Sequence, residues 1–230
     1  MRVSVLLACW NAASYVGEAV QSVLDQRPAP FEVIAVDDGS ADRSAAILAG
    51  FGARLVLIRQ ANSGVGAALN RAAAEATGDA LAFIDADDLW TPGKLARQIE
   101  ALAADPELDA VFGFMETFAS PDLPQDQRSR LRIPERAEPA FTKNGMLIRS
   151  AAFNRLGGFD PERRNADFFA WYARAVGEGF RWRLQPEVVC RRRLHSQNMG
   201  RLDRERQRRD YLLTMKAFLD ARRGPRARVS

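Results

Sequence analysis

The feature that most constrains what this chain can fold into is an alternation of two hydrophobic periods across its first hundred residues. "VSVLLA", "FEVIAVDD", "RLVLIRQ" and "ALAFIDADD" are short, near-continuous apolar runs, the pattern of strands buried on both faces. Between them "SYVGEAVQSVLDQ", "SADRSAAILAGF" and "GVGAALNRAAAEATG" carry helical spacing, with Val16, Val20, Val23 and Leu24 on one face of the first. Strand and helix in strict alternation predict an α/β fold, a single Rossmann-like domain whose central sheet is mostly parallel with right-handed crossovers. Ser14, Ser40 and Thr91 (followed by Pro92) are the expected helix caps.

After Pro106 the regularity fades. "DAVFGFMETFA" reads as a strand, and "SPDLPQDQRSRLRIPERAEP" as a Pro-rich, charged loop. "AFTKNGMLIRSAAFNRLGGFD" reads as strand, short helix and Gly turn, "ADFFAWYARAVGEG" as a helix and "FRWRLQPEVVCRRRLH" as strand material. "DRERQRRDYLLTMKAFLDARR" predicts a basic amphipathic C-terminal helix. With 230 residues the chain can bury one sizeable core, and we expect one domain over 1–200, divided into halves 1–110 and 111–200, with 201–230 as an appendage.

The 2 cysteines, Cys9 and Cys190, lack metal-ligand spacing and are expected as reduced thiols. No run approaches the about 18 apolar residues of a membrane span, and the N-terminus reads as a strand rather than a signal segment. A cytoplasmic protein is expected. The net charge of +4 is uneven, with Arg concentrated near the C-terminus. Nucleic-acid binding is not expected, because no recognition motif or aromatic interleaving accompanies the Arg residues. The terminal helix offers a peripheral contact with the inner face of a membrane or a homodimer interface.

In an open parallel sheet, ligands bind outside the carboxyl ends of the strands. Those ends carry Cys9, Trp10 and Asn11, then Asp37 and Asp38, then Asp85, Asp87 and Asp88. Crowded carboxylates repel one another, and a hard divalent cation relieves them; magnesium commonly uses one or two carboxylates and fills its shell with water and phosphate oxygens. A lone D-x-D is usually a strand-end turn with capping acids. Here a second acid pair and the Gly-bearing turn "NSGVG" before a helix accompany it, which together point to metal and phosphate.

"CWNAASYVGEAVQSVLDQ", "FEVIAVDDGSADRS", "NSGVGAALNRAAAEATGDALAFIDADDLWTP" and "RLGGFD" closely resemble glycosyltransferase family 2, the inverting, sugar-nucleotide-dependent enzymes of A-type fold. The resemblance runs through residues 2–100 and more loosely to about 200. It implies a hexosyltransferase-like activity on a nucleotide-diphosphosugar, a UDP-sugar favoured, with Mn2+ or Mg2+ and an unidentified glycan, lipid-linked or peptide acceptor. Asp38 would meet the nucleobase N–H, with Trp10 against the ring and Asp37 supporting the turn. Asp87 and Asp88 would hold the metal and ribose, Asp85 would support them, and Ala8, Asn11, Asn62, Gly64 and Asn70 would line the donor site. Arg193 would lie near the diphosphate and His195 near the metal. Asp167 would be the base that deprotonates the acceptor, with Asp160 the alternative.

Two positions depart from the family pattern: Leu69 stands where an Arg is common and Ala166 where a Glu is common. A nucleotidyltransferase and a non-catalytic nucleotide- or partner-binding relative are the competing readings. The first usually carries a basic Gly-rich segment near the N-terminus, which "ACWNAASYVG" does not.

Overall fold

The computed structural model describes residues 1–163 and 167–198. The expected C-terminal helix and the Ala166 position lie outside the described residues. Four strands, β1 (Val3–Cys9), β2 (Glu32–Asp37), β3 (Val56–Arg59) and β4 (Ala80–Asp85), pair in parallel in the order β3-β2-β1-β4. The sheet continues through β8 (Met146–Arg149), β6 (Ala110–Ala119), β9 (Trp182–Leu194) and β5 (Leu89–Trp90), while β7 (Glu138–Pro139) pairs with β6 beyond the end of β8. β8 runs antiparallel to both β4 and β6, and the long β6–β9 pairing is parallel. The sheet is therefore mostly parallel by register, with antiparallel joins in its second half.

Side chains that alternate along a strand supply two separate cores. On one face Val5 and Leu7 meet α1 (Val16–Leu24), α2 (Ser44–Ala49) and α4 (Lys94–Ala104) through Val20, Leu48 and Leu95. On the other, Leu6, Ile34 and Phe83 meet α3 (Val65–Glu75), α6 (Ser150–Leu156) and α7 (Asp167–Gly177) through Leu69, Phe153 and Trp171. Each such large side chain, fully buried, contributes about 1.5–3 kcal/mol. The residue expected to be an Arg, Leu69, belongs to this second core and is fully packed.

Three local expectations are corrected. β3 lies at the sheet edge, so its residues are half-buried or exposed rather than buried on both faces. The three predicted caps do not cap: the N–H groups of Tyr15 and Val16 both turn back onto Ala12 O at 2.9 Å, and Ser40 Oγ instead accepts the Asn11 N–H. Asp42 accepts the Ser44 N–H at 2.9 Å, and Thr91 Oγ1 donates to Val188 O at 2.6 Å. Finally, the charged loop after β6 is interrupted by one helical turn, α5 (Gln125–Arg128). Both thiols are free and buried as expected, and burial pushes Cys9 up to about 11 and Cys190 up to about 12. No described helix is long and apolar enough to cross a membrane.

Candidate functional site

Parallel pairing brings the strand-end residues into one row. Cys9 lies opposite Asp37, and its neighbour Ala8, which is half-buried, lies opposite Asp85. Trp10, the residue after β1, is 49% exposed. Asn11 adopts φ 48°, a left-handed conformation that Asn tolerates, and laces two loops together. Its side-chain oxygen accepts the Ala41 N–H at 2.8 Å while its own N–H donates to Ser40.

The two acids of "VDDGS" have different fates. Asp38 is fully engaged: Oδ1 accepts from Gln60 Nε2 at 2.7 Å and Ser63 N at 2.8 Å, and Oδ2 accepts from Gly64 N at 2.8 Å. Asn62 donates to Asp38 O. Asp38 therefore shapes the turn that launches α3, a turn in which Gly64 takes φ 92°. Asp37 is buried, and among the described residues neither carboxylate oxygen has a hydrogen-bond partner; Arg59 lies 3.6 Å away and is mostly exposed. Buried acceptors without donors are rare.

"DADD" is divided as sharply. Asp88 is buried, with Oδ1 accepting the Arg193 N–H and Oδ2 accepting from Asn144 Nδ2, both at 2.8 Å. Burial, then Asp87 and Asp85, push its carboxyl well above the usual range. Asp85 is also raised, first by burial, with Lys143 opposing and Asp87 and Asp167 adding to the shift. Asp87 stays partly exposed, and its Oδ2 meets His195 Nε2 at 2.9 Å and Asn198 Nδ2 at 3.1 Å.

His195 Nδ1 accepts the Gln197 N–H at 3.2 Å, which assigns the proton to Nε2 and makes the ring a donor to Asp87. Arg193 is buried and internally committed: its guanidinium pairs with Glu18, donates to Asp87 O at 3.0 Å and lies over the rings of Tyr15 and Phe118. Tyr15 stacks 4.4 Å from His195 and donates to Asp122 Oδ2 at 2.7 Å, tying the loop after β6 to this end of the site.

Across the crevice, Asp167 opens α7 and is buried, with Oδ2 receiving Lys143 Nζ at 2.6 Å. Asp160 is half-exposed in the Gly turn, pairs with Arg163 at 3.6 Å and caps the Glu162 N–H. Asn70 clamps that same turn by accepting the Phe159 N–H at 2.9 Å and donating to Phe159 O at 2.7 Å. A Cβ on Gly158 would lie 2.4 Å from Asn70 Oδ1, so only glycine fits there.

Sequence reasoning missed Lys143, Asn144, Tyr15, Glu18 and Asn198. Asn144 is a hub: Oδ1 accepts from Trp90 Nε1 at 3.0 Å, Nδ2 donates to Asp88, and its carbonyl accepts from the buried Lys94 Nζ at 3.0 Å. Its only signal in the sequence was the Asn-Gly pair at 144–145, which reads as a turn. As a cation site, Asp87 is the acid with room: it is partly exposed, while both Asp88 oxygens and the His195 Nε2 proton are committed within the protein. One carboxylate suits a magnesium- or manganese-like ion that takes its other ligands from water and phosphate. Among the described residues, no group of three or more His, Cys, Asp or Glu is arranged as a ready-made cation cage.

The family profile described as "Glycosyl transferase family 2" matches residues 4–166. An uncharacterized glycosyltransferase of Nostoc sp. is 36% identical over 176 residues, covering 70% of this chain and 55% of the relative. An uncharacterized glycosyltransferase of Rickettsia typhi is 34% identical over 188 residues, 74% of this chain and 57% of the relative. The chain thus spans little more than half the length of these relatives. Among solved structures, Staphylococcus aureus TarS 1-349 in complex with UDP superposes with a TM-score of 0.69 at 21% identity, covering 95% of this chain and 64% of that one. Pyrobaculum calidifontis mannosyltransferase PcManGT, in complex with GDP-Man and Mn2+, gives 0.68 at 25% identity, 98% and 65%.

Proposed function

The chain belongs to glycosyl transferase family 2, and on that premise we propose that it moves a sugar from a nucleotide-diphosphosugar to an acceptor hydroxyl with inversion at the anomeric carbon. The observation that carries this reading is the row of acids at the carboxyl edge of the parallel strands, with Asp37, Asp85 and Asp87 along it and Asp167 close enough to Asp85 to add to the rise of its pKa. TarS is described with UDP and with UDP-GlcNAc, and PcManGT with GDP-Man and Mn2+, which supports a UDP- or GDP-sugar here.

Trp10 supplies a face for the nucleobase, and Asp37, with two unfilled acceptor oxygens, takes its N–H in place of the loose Arg59 contact. Asp38 keeps the turn rather than the base. Asp87 would hold Mn2+ or Mg2+, oriented by His195 and Asn198. When bound, the cation offsets charge gathering on the departing diphosphate. Asp88 and Arg193 serve as struts that fix the "DADD" turn and the end of β9. Asp167 accepts the proton of the attacking hydroxyl through the oxygen that Lys143 leaves over. The 1–110 half carries the donor contacts, and the 111–200 half adds the base together with Lys143 and Asn144.

Two measurements test this. Asp37→Asn should abolish donor-induced thermal stabilisation, while Asp38→Asn should lower the melting temperature of the protein without donor; the reverse pattern would reassign the base contact. Proton NMR of the fresh product should show the anomeric configuration opposite to the donor's, and retention would refute the inverting reading.

A further inference from the structure

The 3-10 turn Lys143–Gly145 directs two adjacent side chains at two different acids of the site. Lys143 Nζ donates to Asp167 Oδ2 at 2.6 Å, and Asn144 Nδ2 donates to Asp88 Oδ2 at 2.8 Å. The turn itself is tightly held. Thr142 Oγ1 accepts the Gly145 N–H, Lys94 donates to Asn144 O, and Gln98 Nε2 donates to Gly145 O at 2.9 Å. A Cβ on Gly145 would fall 2.2 Å from Ala140 O, which leaves glycine as the residue that fits.

Lys143 and Asp167 are only 11% and 7% exposed. A buried carboxylate is held in place by a paired, hydrogen-bonded cation, and Lys143 supplies one to Asp167. An ammonium fixed on one carboxylate oxygen also restricts rotation about the Cβ–Cγ bond, so the other oxygen faces one direction. We propose that Lys143 is a positioning residue for the transfer, holding Asp167 in one rotamer through the 2.6 Å contact, at a distance from the donor acids that the Lys143-Asn144 turn sets. The inference rests on the reading of Asp167 as the base.

The role differs from structural support in what its loss should change. Lys143→Met should lower kcat for nucleoside diphosphate release at least tenfold, with donor KM and donor-induced thermal shift within twofold of wild type. Lys143→Arg, which keeps the charge, should retain more activity than Lys143→Met. Lys143→Cys should be as slow as Met, and alkylation with 2-bromoethylamine, which rebuilds an ammonium at the same reach, should restore at least half of kcat. Cys9 and Cys190 are buried, with thiols pushed up to about 11 and about 12, so treated wild-type protein serves as the control for reaction elsewhere.

The probes are UDP- and GDP-sugars with Mn2+, with circular dichroism as the check on folding. Wild-type kcat in Lys143→Met, or a folded, alkylated Lys143→Cys that stays slow, overturns the proposal. If Asp167→Asn is inactive while Lys143→Met is unimpaired, the positioning role alone falls. If Asp167→Asn turns over like wild type, the base assignment falls and takes the positioning role with it.

Discussion

Asn144→Ala is the substitution whose cost the structure specifies most closely. The change deletes the donor to Asp88 Oδ2 at 2.8 Å and the acceptor for Trp90 Nε1 at 3.0 Å, in a side chain only 1% exposed. Leaving a buried acceptor without its donor costs about 1–3 kcal/mol, and here Asp88 is buried, so water does not replace the lost donor. Trp90 Nε1 keeps a second acceptor, Phe83 O at 3.3 Å, which limits its share to about 0.5–1 kcal/mol. The contact from Lys94 goes to the Asn144 carbonyl and survives the change. The sum is about 1.5–4 kcal/mol. For a chain of this length, each kcal/mol moves the melting temperature by about 2–4 °C, so a fall of roughly 10 °C is expected. Thermal unfolding followed by circular dichroism measures it, with Asn154→Ala, exposed on α6, as a control expected within about 0.5 kcal/mol of wild type. A fall under about 2 °C for Asn144→Ala would refute its role as a hub.

Asn70→Ala should cost about 2 kcal/mol in urea unfolding, because the Phe159 N–H and C=O each lose a partner; a neutral result would mean the Gly turn is held by other contacts. Lys94 is fully buried, and burial lowers its pKa from 10.5 to about 8. The unfolded chain therefore binds the extra proton between those values, and stability relative to Lys94→Met should rise from pH 8 to 10.5 by up to about 3 kcal/mol. Cys9 and Cys190 act in the opposite sense at high pH, since their thiols titrate later in the folded state. Comparing the two proteins at each pH, by denaturant titration, reads the contribution of the lysine; a flat or falling difference would contradict the lowering of its pKa by burial. Gly145→Ala should destabilise by about 1–3 kcal/mol through the clash with Ala140, also read from urea unfolding.

The first half of the fold was legible because each of its strands carries an apolar run, buried in β1, β2 and β4, and each helix a periodic face, so period alone located them. β5 and β7 were not, since two residues carry no period and owe their pairing to distant partners on β9 and β6. Helix starts were misjudged where a side chain that resembles a cap found a better partner in tertiary structure, as Ser40 did with Asn11. At the site, sequence reading located the row of acids but not how the work divides among them. Asp37 and Asp38 are adjacent and identical in type; only the Gln60, Ser63 and Gly64 donors, more than twenty residues away, show that Asp38 is occupied. Arg193 follows the same logic: its pairing with Glu18 spans 175 positions, beyond any local pattern. Lys143 lies in a stretch without strong periodicity, and its meaning comes from the residue it faces.

The most direct test of the account is nucleoside diphosphate release from a panel of UDP- and GDP-sugars, measured for wild type and Asp87→Asn with and without Mn2+. The account predicts release from at least one donor, dependent on the cation and at least a hundredfold slower in Asp87→Asn. Release from no donor, or release that is equal in the two proteins, would contradict it.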